Sequence, residues 1–147
     1  MRRTHRTIYA HQLISFSACR PQRTKFRHVF GNSALFSTRT AQILFDKFSF
    51  TWLPLMLEPR EKALWSKADE KLWKLHNTDI LYREHGKLTE ALRTKFSTAP
   101  TKHDIDEWHR IKTGHAASIR EAEIRLSEAR AVLAMRYWLR YGPRDKV

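Results

Sequence analysis

The sequence predicts an all-α protein: a long antiparallel helical hairpin, or an irregular three-helix arrangement, preceded by an extended apolar connector and an unstructured basic N-terminus. Three observations predict it. Apolar residues recur at spacings of three and four from Arg60 onward. The turn signal Ser97-Thr98-Ala99-Pro100-Thr101 divides that pattern into two arms of equal length, 60–97 and 104–141. Residues 1–45 contain no Asp or Glu, the first acid being Asp46.

In the first arm Leu64, Ala68, Leu72 and Leu75 form one helical stripe, which continues through Leu81, His85, Leu88, Leu92 and Phe96. Asn77-Thr78-Asp79 favours a cap over a helix interior. Gly86 weakens the second half by about 1 kcal/mol relative to Ala. The arm is therefore one helix over 60–97, or two over 60–76 and 79–97. In the second arm Trp108, Ile111, His115, Ile119, Ala122, Leu126, Ala129, Leu133 and Tyr137 keep the same alternation. Asp104, Asp106 and Glu107 suit the positive end of the helix dipole. Glu121 and Arg125 stand in the favourable i,i+4 order. Gly142-Pro143 ends the helix and opens a tail, 142–147. At 1.5 Å per residue the arm is about 57 Å long. Its end, Ala131 to Tyr141, is apolar nearly all round, so more than one side must be covered.

Residues 41–59 read as the connector, with Ile43, Leu44, Phe45, Phe48, Phe50, Trp52, Leu53, Leu55, Met56 and Leu57. Such a patch is not left in water. It either folds back on the helices or docks on a partner or a membrane surface.

The chain has 147 residues, 28 Lys/Arg against 15 Asp/Glu, and a net charge of +13. That charge is uneven, because residues 46–147 hold 20 of the basic residues and all 15 acids. Residues 1–40 are rich in Arg, Ser and Thr, the composition of a mitochondrial presequence. Ile8, Leu13, Ile14 and Phe16 would supply its apolar face beside Arg2, Arg3 and Arg6, with cleavage near residues 37–41. This places the protein in the mitochondrion, in the matrix or on the matrix face of the inner membrane. The composition of a chloroplast transit peptide overlaps with it. The alternative is a basic arm that stays on the protein and binds RNA.

Several chemistries find no support in the sequence. Cys19 is the single cysteine, which excludes an internal disulfide and any Cys-rich zinc site. No apolar run approaches the length of a membrane span. His103, His109 and His115 are six residues apart. That spacing turns a helix by about 240° net per step, so the three cannot share a metal. Asp106 and His109 form one Asp-x-x-His pair, without the second motif that a di-metal bundle requires. Nucleophile elbows, P-loops and dinucleotide fingerprints are absent. No catalytic, cofactor-binding or metal-binding residue is expected, and the protein reads as a non-enzyme. On the second arm Arg110, Lys112, Arg120, Arg125, Arg130, Arg136 and Arg140 could touch RNA, although Glu121, Glu123 and Glu128 interrupt them.

Leu81-Tyr82-Arg83 resembles the tripeptide of the mitochondrial LYR proteins, small basic helical accessory subunits and assembly factors. The resemblance implies that Leu81, Tyr82 and Arg83 stand near the start of a bundle helix, with Phe96 as the downstream Phe. It also implies an acyl carrier protein as partner. In that family the tripeptide stands close to the N-terminus, whereas here it lies mid-chain and is followed by Glu84-His85-Gly86. Read without the family, Leu81 is core and its two neighbours flank it.

Five tryptophans, all beyond residue 51, favour interfaces, because aromatic rings bury much area at small entropic cost. Trp52, Trp65, Trp73, Trp108, Tyr137 and Trp138 are the expected partner-binding residues. The function these features predict is a non-catalytic structural subunit of a large mitochondrial assembly. A mitoribosomal protein with a peripheral rRNA contact is favoured over an accessory subunit of the respiratory chain or of ATP synthase. The alternatives are a transient assembly factor of the LYR type and an RNA-binding protein with a basic arm.

Overall fold

Residues 4–16, 18–76, 78–98 and 100–143 are described by a computed structural model. Helix dominates, at 74% against 7% strand, so the protein is mainly α with one small sheet. The elements are β1 (His5–Tyr9), α1 (Arg20–Phe30), β2 (Ser33–Ser37), α2 (Thr38–Leu44), α3 (Pro59–His76), α4 (Thr78–Lys95) and α5 (Lys102–Tyr141). Short 3-10 turns occupy Ala10–Leu13 and Leu53–Met56. The chain divides into two compact units, one of Met1–Leu72 with Ser127–Val147, the other of Trp73–Leu126.

The first unit corrects the expectation of an unstructured N-terminus. In β1, Arg6 and Ile8 point inward while His5, Thr7 and Tyr9 are exposed. In β2, Ala34 and Phe36 do the same. This is the period-two alternation of a half-buried strand. The strands pair antiparallel, with Arg6 opposite Phe36 and Ile8 opposite Ala34. Between them α1 is preceded by its cap Cys19, whose backbone N–H donates to Gln22 Oε1 at 3.1 Å. It ends at Gly31, where φ is 77°, a left-handed conformation that glycine adopts without a Cβ penalty. Ser37 caps α2 by accepting from the Thr40 N–H at 3.1 Å.

The extended connector is corrected as well. Its residues turn through α2 and the Leu53–Met56 turn, and Phe48, Phe50, Trp52, Leu53 and Leu57 are buried. They join Ile8, Leu13, Phe26 and Phe36 from the N-terminal segment, and Ala131, Met135, Trp138 and Leu139 from the end of α5, in one core. Aromatic rings meet mostly edge to face, as their quadrupoles prefer. Phe26 and Phe36 lie 6.0 Å apart at 61°, and Phe36 and Trp138 lie 5.9 Å apart at 68°. Thus the all-round apolar end of α5 is covered by this chain's own first fifty residues. Asp69 of α3 is tied to Arg130 of α5 by a two-pronged ion pair. Arg130 Nε donates to Oδ1 at 2.9 Å and Nη2 to Oδ2 at 3.1 Å.

The second unit contains the end of α3, all of α4 and the first part of α5. The first arm is two helices and not one, and the expected break falls between His76 and Thr78. Leu92, Ile119 and Leu126 are its buried apolar residues among those described. His85 and His115 occupy the two apolar stripes and meet there, with Nδ1 atoms 2.9 Å apart and rings stacked at 5.0 Å. At that distance one ring donates and the other accepts. Asp104 and Thr101 cap α5 reciprocally. The Thr101 N–H donates to Asp104 Oδ2 at 3.0 Å, and the Asp104 N–H to Thr101 Oγ1 at 3.2 Å. Asn77, Ala99, Arg2, Arg3 and the tail beyond Pro143, which entered the sequence reading, lie outside the described residues.

Candidate nucleic-acid interface

A group of positive charges sits on α1. Phe26 of this helix is fully buried and Phe30 packs on the core beside it, which leaves the other faces to solvent. Arg20, Lys25, Arg27 and His28 are exposed and Arg23 is half-buried. Residues 20, 23 and 27 share a helix face. Among the described residues none of Arg20, Arg23, Lys25 and Arg27 has an ion-pair partner, as the acid-free composition of the segment requires. Arg20, Arg23, Thr24 and Arg27 line a cleft of about 220 Å³, whose other wall is Ala10 and Ile14. Around the helix, Arg20, Pro21, Thr24, Lys25 and His28 line a second, more open groove. Three guanidinium groups over one cleft, without an ion-pair partner among the described residues, make this surface strongly positive, the chemistry that phosphate oxygens complement.

Arg6 differs from this set. It is 7% exposed, and its guanidinium lies 4.9 Å from the Trp138 ring centroid and 5.4 Å from that of Phe16. Its Nη1 donates to the Pro143 carbonyl. It fastens β1 to the end of α5 by cation–π contact and is a structural cation.

The basic face expected on α5 is partly engaged within the chain, while Arg110, Arg120 and Arg136 are exposed. Arg125 holds Glu121 at 2.6 Å and Arg130 holds Asp69. Lys112 lies 5.4 Å over the Trp108 ring, and Arg140 lies 5.0 Å over that of Tyr141. The expected aromatic anchors divide likewise. Trp52 and Trp138 are 8% and 1% exposed and belong to the core. Trp65, Trp108 and Tyr137 are half-buried, and Trp73 is 43% exposed. In Leu81-Tyr82-Arg83, Leu81 is half-buried while Tyr82 and Arg83 face solvent on α4.

Among the described residues no three His, Cys, Asp or Glu side chains converge on a point that could hold a metal. His115, one of the three evenly spaced histidines, meets His85. No described helix is long and apolar enough to cross a membrane. The α1 cluster is hidden in the sequence because the composition of its segment is also that of a presequence. The available signal is Arg20, Arg23 and Arg27 at helical spacing, with Pro21 in the first turn and Gly31 just past the end. The sequence matches no family model, no curated protein and no solved structure.

Proposed function

We propose that this protein is a non-catalytic structural subunit of a ribonucleoprotein assembly, with the α1 face of its first unit set against RNA phosphates. The observation that carries the reading is that the acid-free N-terminal segment supplies core. A chain cut near residue 40 would lose Ile8, Leu13, Phe26 and Phe36 together. Truncating one buried Phe to Ala costs about 3–5 kcal/mol, against a domain stability of about 5–15 kcal/mol. A chain without the segment lacks what the unit needs to fold as described, which supports a positive arm that is retained. The first unit holds 18 Lys/Arg and 7 Asp/Glu, or +11 of the total +13. A field of that size draws a polyanion in and holds it by counterion release.

The second unit, read as an antiparallel hairpin of α4 with the first part of α5, serves as an arm for protein neighbours. Trp73, Ile80 and Tyr82 are exposed on it. Among ribonucleoproteins the mitochondrial ribosome fits the composition best, since an Arg-rich, acid-free segment is what import requires. Import without cleavage would leave the core whole.

The test is fractionation of a mitochondrial lysate by size, with and without ribonuclease, followed by mass spectrometry of the mature N-terminus. The expected result is a chain that retains residues 4–40, runs with a large particle and is released by ribonuclease. A mature chain beginning near residue 40 overturns the retained arm, and a particle insensitive to ribonuclease overturns the RNA reading.

A further inference from the structure

The cleft and the groove on α1 are unequal. Arg20, Arg23 and Arg27 bring three guanidinium groups to the cleft, and the Thr24 hydroxyl adds a neutral donor. The groove has Arg20 and Lys25 for its cations, with His28 beside them. No Asp or Glu lines either one. Arg20 and Thr24 line both, so the groove adjoins the cleft along the helix. The other wall of the cleft is apolar. Its Ala10 is buried and held by an N–H that donates to the Asn32 carbonyl at 2.8 Å, and its Ile14 is 66% exposed. At about 220 Å³ the cleft is smaller than those that enclose a whole drug-sized ligand, and suits a phosphate with its sugar.

Charge separates the ligands such a cleft could take. A phosphodiester inside a strand carries one negative charge and two free oxygens. A phosphate monoester carries nearly two charges at neutral pH and three terminal oxygens. Each guanidinium is a planar fork that takes oxygens in pairs. Three forks at one cleft exceed what one diester offers, and a monoester answers them better. In RNA such a group stands at the 5′ end of a processed strand. We infer that the cleft holds the 5′-terminal phosphate monoester of an RNA strand, with Ala10 and Ile14 against the first sugar and the following phosphates leaving through the groove past Lys25. The inference rests on the RNA reading above and names the group that this site takes.

The experiment is fluorescence anisotropy of the full chain at pH 8 and 50 mM salt with three 3′-labelled oligouridines. One has twelve nucleotides and a 5′-phosphate, one has twelve and a 5′-hydroxyl, and one has fourteen and a 5′-hydroxyl. The first and the third carry the same charge, since two added diesters match one dianionic monoester. The 5′-phosphate strand is expected to bind about tenfold more tightly than either hydroxyl strand, the worth of one added hydrogen bond to a charged group. Arg23→Gln with Arg27→Gln is expected to weaken all three and erase the difference. Lys25→Gln, in the groove, is expected to weaken all three alike and keep the ratio. Uridine 5′-monophosphate is expected to compete only weakly. If the 5′-phosphate strand binds no more tightly than the fourteen-nucleotide strand, or the double variant keeps the ratio, the terminal site is wrong and the RNA reading stands. If uridine 5′-monophosphate binds as tightly as the 5′-phosphate strand, the ligand is a free mononucleotide and the strand end is overturned. If no strand binds, both readings fall together.

Discussion

The two units of this chain use similar amounts of helix for opposite purposes. The first carries a net +11, from 18 Lys/Arg and 7 Asp/Glu, and the second +2, from 10 and 8. Among the described residues, eighteen buried apolar residues belong to the first unit and three to the second. The first can bear the repulsion of its unpaired charges because a cluster of phenylalanines and Trp138 holds it from within. The second has a thin seam of Leu92, Ile119 and Leu126, but its charges nearly cancel. Core and charge thus travel together: the unit with cations to spare is the unit with burial to spare.

Aromatic truncation breaks this contrast most strongly. Phe36→Ala removes a fully buried ring that touches Phe26, Phe48, Phe50 and Trp138, and is expected to cost about 3–5 kcal/mol. Tyr82→Ala, at a position 53% exposed in the second unit, is expected to stay within about 0.5 kcal/mol. Urea denaturation followed by tryptophan fluorescence compares them. Equal costs would mean that the second unit carries packing at Tyr82 that its exposure does not suggest.

Next in size is the Asp69–Arg130 pair, which lies wholly within the first unit. The Asp69 side chain is 13% exposed and that of Arg130 27%, so solvent screens the pair in part. Asp69→Ala is expected to cost roughly 1–3 kcal/mol, the range for hydrogen bonds to a charged partner. A double-mutant cycle with Arg130→Met gives the coupling energy, and a value near zero would show that the pair adds nothing to the clamp on α3.

Smaller again is a change in the opposite direction. A Cβ at Gly86 meets nothing within 4 Å, and the residue lies inside α4. Gly86→Ala is expected to stabilise the second unit by about 0.5–1 kcal/mol, read as a rise in helicity on heating. The same substitution at Gly142 should do harm, because its Cβ would stand 2.4 Å from the Trp138 carbonyl oxygen.

The smallest effect concerns the α5 cap. The Asp104 carboxyl is held below its ordinary value of 3.8, first by the Thr101 backbone N–H and then by the Thr101 hydroxyl, with His103 and Lys95 adding in the same direction. A lowered folded value means that the cap's contribution is present above about pH 4 and is lost as pH falls through the lower folded value. Amide hydrogen exchange over residues 102–106 should speed up in that acid window, and Asp104→Asn should remove the pH dependence. Exchange that is flat with pH would show that the cap does not hold the helix start.

The helices from residue 59 onward were legible because their signal is local. Repeats of three and four in Leu64 to Leu75 and Trp108 to Tyr137 fix which side is buried, whatever they pack on. Those stripes also put His85 and His115 on facing surfaces, although pairing them required coordinates. The N-terminal fold was not legible. HRTIY and SALFS are five-residue strands, too short to outweigh a composition that also describes a targeting segment. The same arginines that read as import signal became, once α1 was in view, one face around the anchor Phe26.

By itself the sequence determined the helical class, the turn near Pro100, the stop at Gly142-Pro143, the uneven charge and the demand that the end of α5 be covered. These follow from nearest neighbours and from counting. Only the tertiary structure decided what does the covering. Phe16 and Phe36 reach Trp138 across more than a hundred residues of chain, and Arg6 lies over the same ring. Such contacts leave no periodic trace, because their free energy comes from area removed from water between segments whose separation in sequence is arbitrary.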